Sequence, residues 1–152
     1  MVKWISLAGL FALGIVTAGC GGRDPNLPDL VPVAGVVTLD GKPVSAASVW
    51  FVPTGSTRGG GSTGYTDEKG QYELKAQHGG SGAPVGQYQV VISKMVMPDG
   101  SPYSAESGVA PMDSPARELL PERYCSETDS TLKATVPDGG SSSIDFTLTS
   151  EP

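Results

Sequence analysis

The side chains able to do covalent or metal chemistry are few in this sequence, and their spacing decides what is open to them. There are two cysteines, Cys20 and Cys125, about a hundred residues apart, and one histidine, His78. A single imidazole leaves no second His as metal partner, and no cysteine or carboxylate stands at ligand spacing beside it. His78 lies in the run Gln77 to Val85 (QHGGSGAPV), where a solvated loop side chain is expected. Ser62 follows Gly59-Gly60-Gly61 but lacks the Gly-x-Ser-x-Gly frame of a nucleophile elbow. The glycines from Gly55 to Gly64 lack the Lys and helix start of a phosphate-cradling loop. Asp67 and Lys69 before Gly70 lack the alternating acids and closing Glu of a calcium loop, so Asp67 is expected to form a turn. Met95, Met97 and Met112 carry thioethers suited to Cu(I), yet with no His or Cys beside them they read as packing or contact surface. No catalytic residue, cofactor site or metal site is assigned from these side chains.

Cys20 differs in its position. Before it stand Lys3, an uncharged apolar run from Trp4 to Val16, and the small residues Thr17, Ala18 and Gly19. This is the charged, apolar and small-residue layout of a signal peptide. The apolar run is too short for a permanent span, which needs ~20 residues. Small residues leading into a cysteine resemble the lipobox of bacterial lipoproteins, roughly Leu, then Ala or Ser, then Gly or Ala, then Cys. Thr17 stands where that motif usually has an aliphatic residue, and Val16 lies one place too early. The resemblance implies cleavage between Gly19 and Cys20, a diacylglycerol thioether on Cys20 and attachment to a membrane through that lipid. The alternative is an ordinary secretory signal cut near Ala18, with Cys20 left as a thiol. With Cys20 modified, Cys125 has no disulfide mate. The segment Gly21 to Pro32 (GGRDPNLPDLVP) has no alternation and reads as a tether, so the chain divides into a leader at 1–19, a tether at 20–32 and a domain at 33–150.

The composition names the elements that must carry these groups. A chain of 152 residues suits one domain. Ten basic residues against 16 acidic ones give a net charge of -6, and no Lys/Arg stripe is present, which argues against nucleic acid as a partner. Twenty-one glycines and 13 prolines punctuate runs of Val, Ile, Tyr and Thr, the mark of an all-β chain. Strands are expected at 33–39, 47–53, around 64–66, and at 71–76, 86–94, 131–136 and 141–150. Asp40-Gly41 and Asp67 to Gly70 supply turns, and the last two runs are expected to pair around Pro137 to Gly140. Tyr72 and Leu74 share one face, as do Tyr88, Val90 and Ile92, and as do Ile144, Phe146 and Leu148. About seven strands predict a single Greek-key-type β-sandwich. A long irregular loop over 95–118, which contains Tyr103, is either a partner-binding loop or a surface excursion. After it, Leu119, Leu120 and Tyr124 are expected to dock on the sandwich, with Cys125 buried or half-buried beside them.

The series VAGVVTLDGKPVSAASVWFVP, GYTDEKGQYEL and GAPVGQYQVVISK resembles the carboxypeptidase regulatory-like domain, a transthyretin-like sandwich. The tail LPERYCSETDSTLKATV with the last strand IDFTLTS is similar to small bacterial lipoproteins built on that domain, with Cys125 where a polar residue is usual. The likeness spans nearly all of the mature chain and implies a non-catalytic module with no assigned ligand residues. Related adhesin sandwiches form Lys–Asn or Lys–Asp crosslinks. The only asparagine, Asn26, is in the tether, which leaves Lys94 or Lys133 with an aspartate. The expected function is therefore an exported, lipid-anchored module of the cell envelope that presents its loops to a protein or glycan. A purely structural spacer is the alternative. A transthyretin-like hydrolase comes third, because it would need a histidine-rich site.

Overall fold

The computed structural model describes residues 27–104, 108–110 and 113–151. The leader, Cys20, Asn26 and Met112 lie outside the described residues. In chain order the elements are β1 (Leu30–Val31), β2 (Ala34–Leu39), β3 (Lys42–Pro43), β4 (Ser48–Thr54), β5 (Ser62–Tyr65), β6 (Gln71–Glu73) and β7 (Lys75–Ala76). There follow β8 (Ala83–Pro84), β9 (Gly86–Ser93), β10 (Met95–Val96), β11 (Arg117–Glu118), the single helical turn α1 (Glu122–Cys125), β12 (Lys133–Val136) and β13 (Phe146–Leu148).

These strands form an all-β sandwich. One sheet is antiparallel, in the order β12-β9-β4-β5-β7. In the other, β2 is central: β13 runs parallel along one edge, while β6 and then β3 run antiparallel along the other. Alternation decides which side chains enter the core. Val49 and Phe51 of β4, and Tyr88, Val90 and Ile92 of β9, are buried, whereas Trp50 between the first pair points outward. Val37 and Leu148 close the core from the opposite sheet.

Four rings meet at the centre. Phe51 lies 5.5 Å from Tyr88 and 6.1 Å from Phe146, edge to face in the second case. Tyr72 stacks on Phe146 at 6.3 Å. The two buried phenols find acceptors: Tyr72 Oη donates to the Ile144 carbonyl and Tyr88 Oη to the Pro84 carbonyl, each at 2.6 Å. Such pairing is what makes a buried hydroxyl tolerable.

Each of the seven expected runs contains strand, and four expectations need correction. The run Gln71 to Ala76 is divided at Leu74: β6 pairs with β2 and β7 with β5, so this short piece stitches the two sheets together. The last two runs do not pair with each other. The chain turns at Gly140, with φ +74, and changes sheet, so that β12 lies on β9 and β13 on β2. The tether ends sooner than Pro32, because Leu30 and Val31 pair with Pro84 and Ala83. The 95–118 excursion is closed at its base by pairing of β10 with β11. Within it, a smaller turn at Asp99-Gly100 brings Pro102 back beside Val96.

Asp40 and Gly41 both have positive φ, +50 and +77, as the tight β2–β3 hairpin requires. Gly35 answers to a different constraint. A Cβ there would sit 2.0 Å from the Ile144 carbonyl oxygen, the atom that accepts the Tyr72 hydroxyl.

Two substitutions should separate these effects in a chemical-denaturation experiment. Gly35→Ala forces β2 and the Ile144 segment apart and is expected to lower stability by about 2 kcal/mol or more. Ser62→Ala removes a hydroxyl that is 1% exposed and has no hydrogen-bond partner among the described residues. It should leave stability unchanged or raise it by up to about 1 kcal/mol. A neutral Gly35→Ala would contradict the packing described.

Candidate functional site

The structure disperses the groups that looked chemically able. His78 is exposed in the loop that follows β7, and Ser62 faces the core opposite Phe51. Asp67 forms the expected turn: its Oδ1 accepts from the backbone N–H of Lys69 and of Gln71, both at 2.8 Å. Met95 is in β10, and Met97 opens the turn whose N–H bonds the Ser101 carbonyl. Lys133 is exposed on β12 and Lys94 is half-buried after β9; among the described residues the buried polar ones are Ser62, Thr66 and Ser130, with no lysine or aspartate among them. Among the described residues no group of three or more His, Cys, Asp or Glu could hold a metal ion. Among them, also, no helix is long and apolar enough to cross a membrane.

What the fold does assemble lies on the outer face of the five-stranded sheet. Register places Tyr65, Ser48 and Ser93 in one row across β5, β4 and β9, and Thr63, Trp50 and Val91 in the next. Trp50 and Tyr65 are therefore diagonal neighbours, ~7–8 Å apart by sheet geometry. Both are large and open to solvent, at 53% and 70% exposure. Together with Val91, Ser48, Ser93, Met95, Tyr103 and Cys125 they line a groove of about 640 Å³. A second concavity of about 1010 Å³ shares Trp50 and Tyr65 and continues past Thr63 to Lys75.

The excursion walls this groove and is fastened by one carboxylate. Glu118 Oε1 accepts from the N–H groups of Lys94, Leu119 and Leu120 at 2.8 to 3.0 Å, and Oε2 accepts from Ser93 Oγ at 2.5 Å. Tyr103 Oη donates to the Val109 carbonyl and so folds the excursion on itself. Leu120 and Tyr124 are buried as expected, but Leu119 is 54% exposed because Pro121 and the turn of α1 direct only its neighbours inward. Arg123 donates to the Thr149 carbonyl at 2.5 Å and to the Glu151 carbonyl, tying α1 to the end of the chain.

Cys125 is half-buried, and its thiol faces the carbonyls of Pro121, at 3.3 Å, and Leu120. Burial, then the negative charges of Glu118 and Glu122, push this thiol up to about 12. It is a poor nucleophile for that reason. Trp50 and Tyr65 were not singled out in the sequence. The signal was nonetheless present, since Trp50 stands between core residues Val49 and Phe51 in an alternating run. No protein-family model, no curated protein and no solved structure matches this chain.

Burial also pushes the Tyr88 phenol up to about 12 and raises that of Tyr72, where the Asp145 charge adds to the effect. Each of these groups is neutral when protonated, so a raised folded value means stability that is complete below the unfolded value and lost above it. For Cys125 the window opens at the ordinary thiol value of 9.0 and closes near about 12. Denaturation midpoints should therefore fall steadily over that range. Cys125→Ala should remove the earliest part of the decline, and a variant with the same early decline would refute the assignment to this thiol.

Proposed function

We propose that this chain is an exported, lipid-anchored, non-catalytic module of the cell envelope, of the carboxypeptidase regulatory-like kind, which binds a protein or glycan partner through its membrane-distal face. The leader and the cysteine that follows it supply the address. The observation that carries the reading is the separation of two ends. The chain enters the sandwich at β1, which pairs with β8 just before β9 begins, while Ser93, Met95 and the groove lie where β9 finishes. At ~3.3 Å per residue, β9 alone places about 23 Å between them.

A lipid on Cys20 would hold the entry end close to the bilayer, since the chain from Cys20 to Leu27 reaches at most ~25 Å. The end of the groove at Ser93 and Met95, and the paired base of the excursion at β10 and β11, would then lie at the far end of the sandwich from it. An exposed His78 without partners at ligand spacing, and a Cys125 thiol held protonated, support a binding role over a catalytic one.

Fractionation of cells expressing the full chain tests the anchor. The native protein should sediment with membranes and Cys20→Ser should appear in the soluble exported fraction. A Cys20→Ser protein that stays wholly membrane-bound would overturn the reading.

A further inference from the structure

The groove on the outer sheet face has a chemistry narrower than "partner". We propose that it is a binding site for a neutral glycan chain, with Trp50 and Tyr65 as the surfaces on which sugar rings stack. The proposal rests on the reading of this chain as a binding module and names the ligand class for it.

Three observations point to that class. First, the groove combines aromatic and apolar walls, Trp50, Tyr65, Tyr103, Val91 and Met95, with a few hydroxyls, and among the described residues that line it none is charged although the chain carries -6. A sugar ring has the matching make-up, an apolar C–H face rimmed by hydroxyls, and small-ligand sites are built in this way. Second, the serine hydroxyls in the groove already donate within the fold, Ser48 Oγ to the Ser93 carbonyl at 3.2 Å and Ser93 Oγ to Glu118 at 2.5 Å. They meet a ligand with lone pairs and so favour one rich in O–H donors.

Third, the site lies on the face of β4, whose backbone is paired with β5 on one side and β9 on the other. An extended peptide could gain no ladder hydrogen bonds there, which removes the main source of affinity in strand addition. The second concavity, which shares Trp50 and Tyr65, gives room for more than one sugar ring and so favours a chain over a monosaccharide. That extension carries Asp67, Glu73, Lys75 and Glu127, mostly acidic, which disfavours an acidic polymer.

The test uses a built-in reporter. The sequence has two tryptophans, and Trp4 is in the leader, so with excitation selective for indole the tryptophan emission of the mature chain comes from Trp50 alone. The mature protein, purified from membranes in a detergent without a sugar headgroup, is titrated with hexamers of β-1,4-glucose, β-1,4-mannose, β-1,4-xylose and α-1,4-glucose, and with a galacturonate hexamer as the acidic comparison. At least one neutral hexamer should shift Trp50 emission saturably at millimolar concentration or below. Tyr65→Ala should weaken that binding by about fivefold or more. Trp50→Ala, followed by calorimetry, should abolish it, with circular dichroism of both variants unchanged.

Silence toward every neutral hexamer, equal response to the acidic one, or undiminished binding by Tyr65→Ala each overturns the proposal. A shift that appears on concentrating the protein without sugar also overturns it and assigns the face to a second copy. Silence together with intact membrane attachment removes the glycan and leaves the anchored module standing, whereas a sugar response in a chain that proves unanchored does the reverse.

Discussion

Four aromatic rings, Phe51 and Tyr88 from one sheet and Tyr72 and Phe146 from the other, fill the space between the layers, and the rest of the molecule is positioned from them. The hydroxyls of the two tyrosines reach backbone carbonyls outside their own strands, at Ile144 and Pro84. The first bond fastens the segment that runs beside Gly35, and the second fastens β8, on which β1 is paired. The place where the chain enters the fold is thus tied to the core by one phenol. The only described cysteine, Cys125, is a free thiol, so cohesion comes from packing and backbone pairing, which for a domain of this size is sufficient but leaves a narrow margin.

The same cluster sets the outer face. Phe51 can point inward only if Trp50 points outward, and the register of β4 against β5 and β9 then brings Tyr65, Ser48 and Ser93 beside it. Glu118 completes the arrangement from the far side of the excursion, where its carboxylate takes four hydrogen bonds and holds β11 against β10. A rigid sheet supplies one wall of the groove and a fastened loop the other, the usual division of labour between scaffold and recognition surface.

The elements with a clean period of two could be read from sequence. Tyr88, Val90 and Ile92 alternate with Gln87, Gln89, Val91 and Ser93, and burial follows that alternation residue by residue. Asp40-Gly41 and Asp67 to Gly70 announced their turns because only certain residues accept such backbone angles. Pairing partners were hidden, since nothing local in Pro137 to Gly140 says that the chain changes sheets, and nothing in Gln71 to Ala76 says that half of it bonds to each layer. The two-residue ladders β1–β8 and β10–β11 are too short to leave a periodic trace. The groove escaped notice because its residues come from separate strands and an excursion and meet only once the register is known.

If a lipid on Cys20 anchors the chain, as proposed, the aromatic residues Trp50 and Tyr65 stand clear of the bilayer, displaced along β9 from the end at which β1 enters. Fluorescence of Trp50 in the mature protein reconstituted into vesicles with brominated acyl chains measures this most directly, because bromine quenches only a tryptophan within or against the hydrocarbon. Emission should be unchanged by brominated lipid and readily quenched by aqueous iodide. Strong quenching by the lipid, with protection from iodide, would show the groove lying on the membrane and would contradict it.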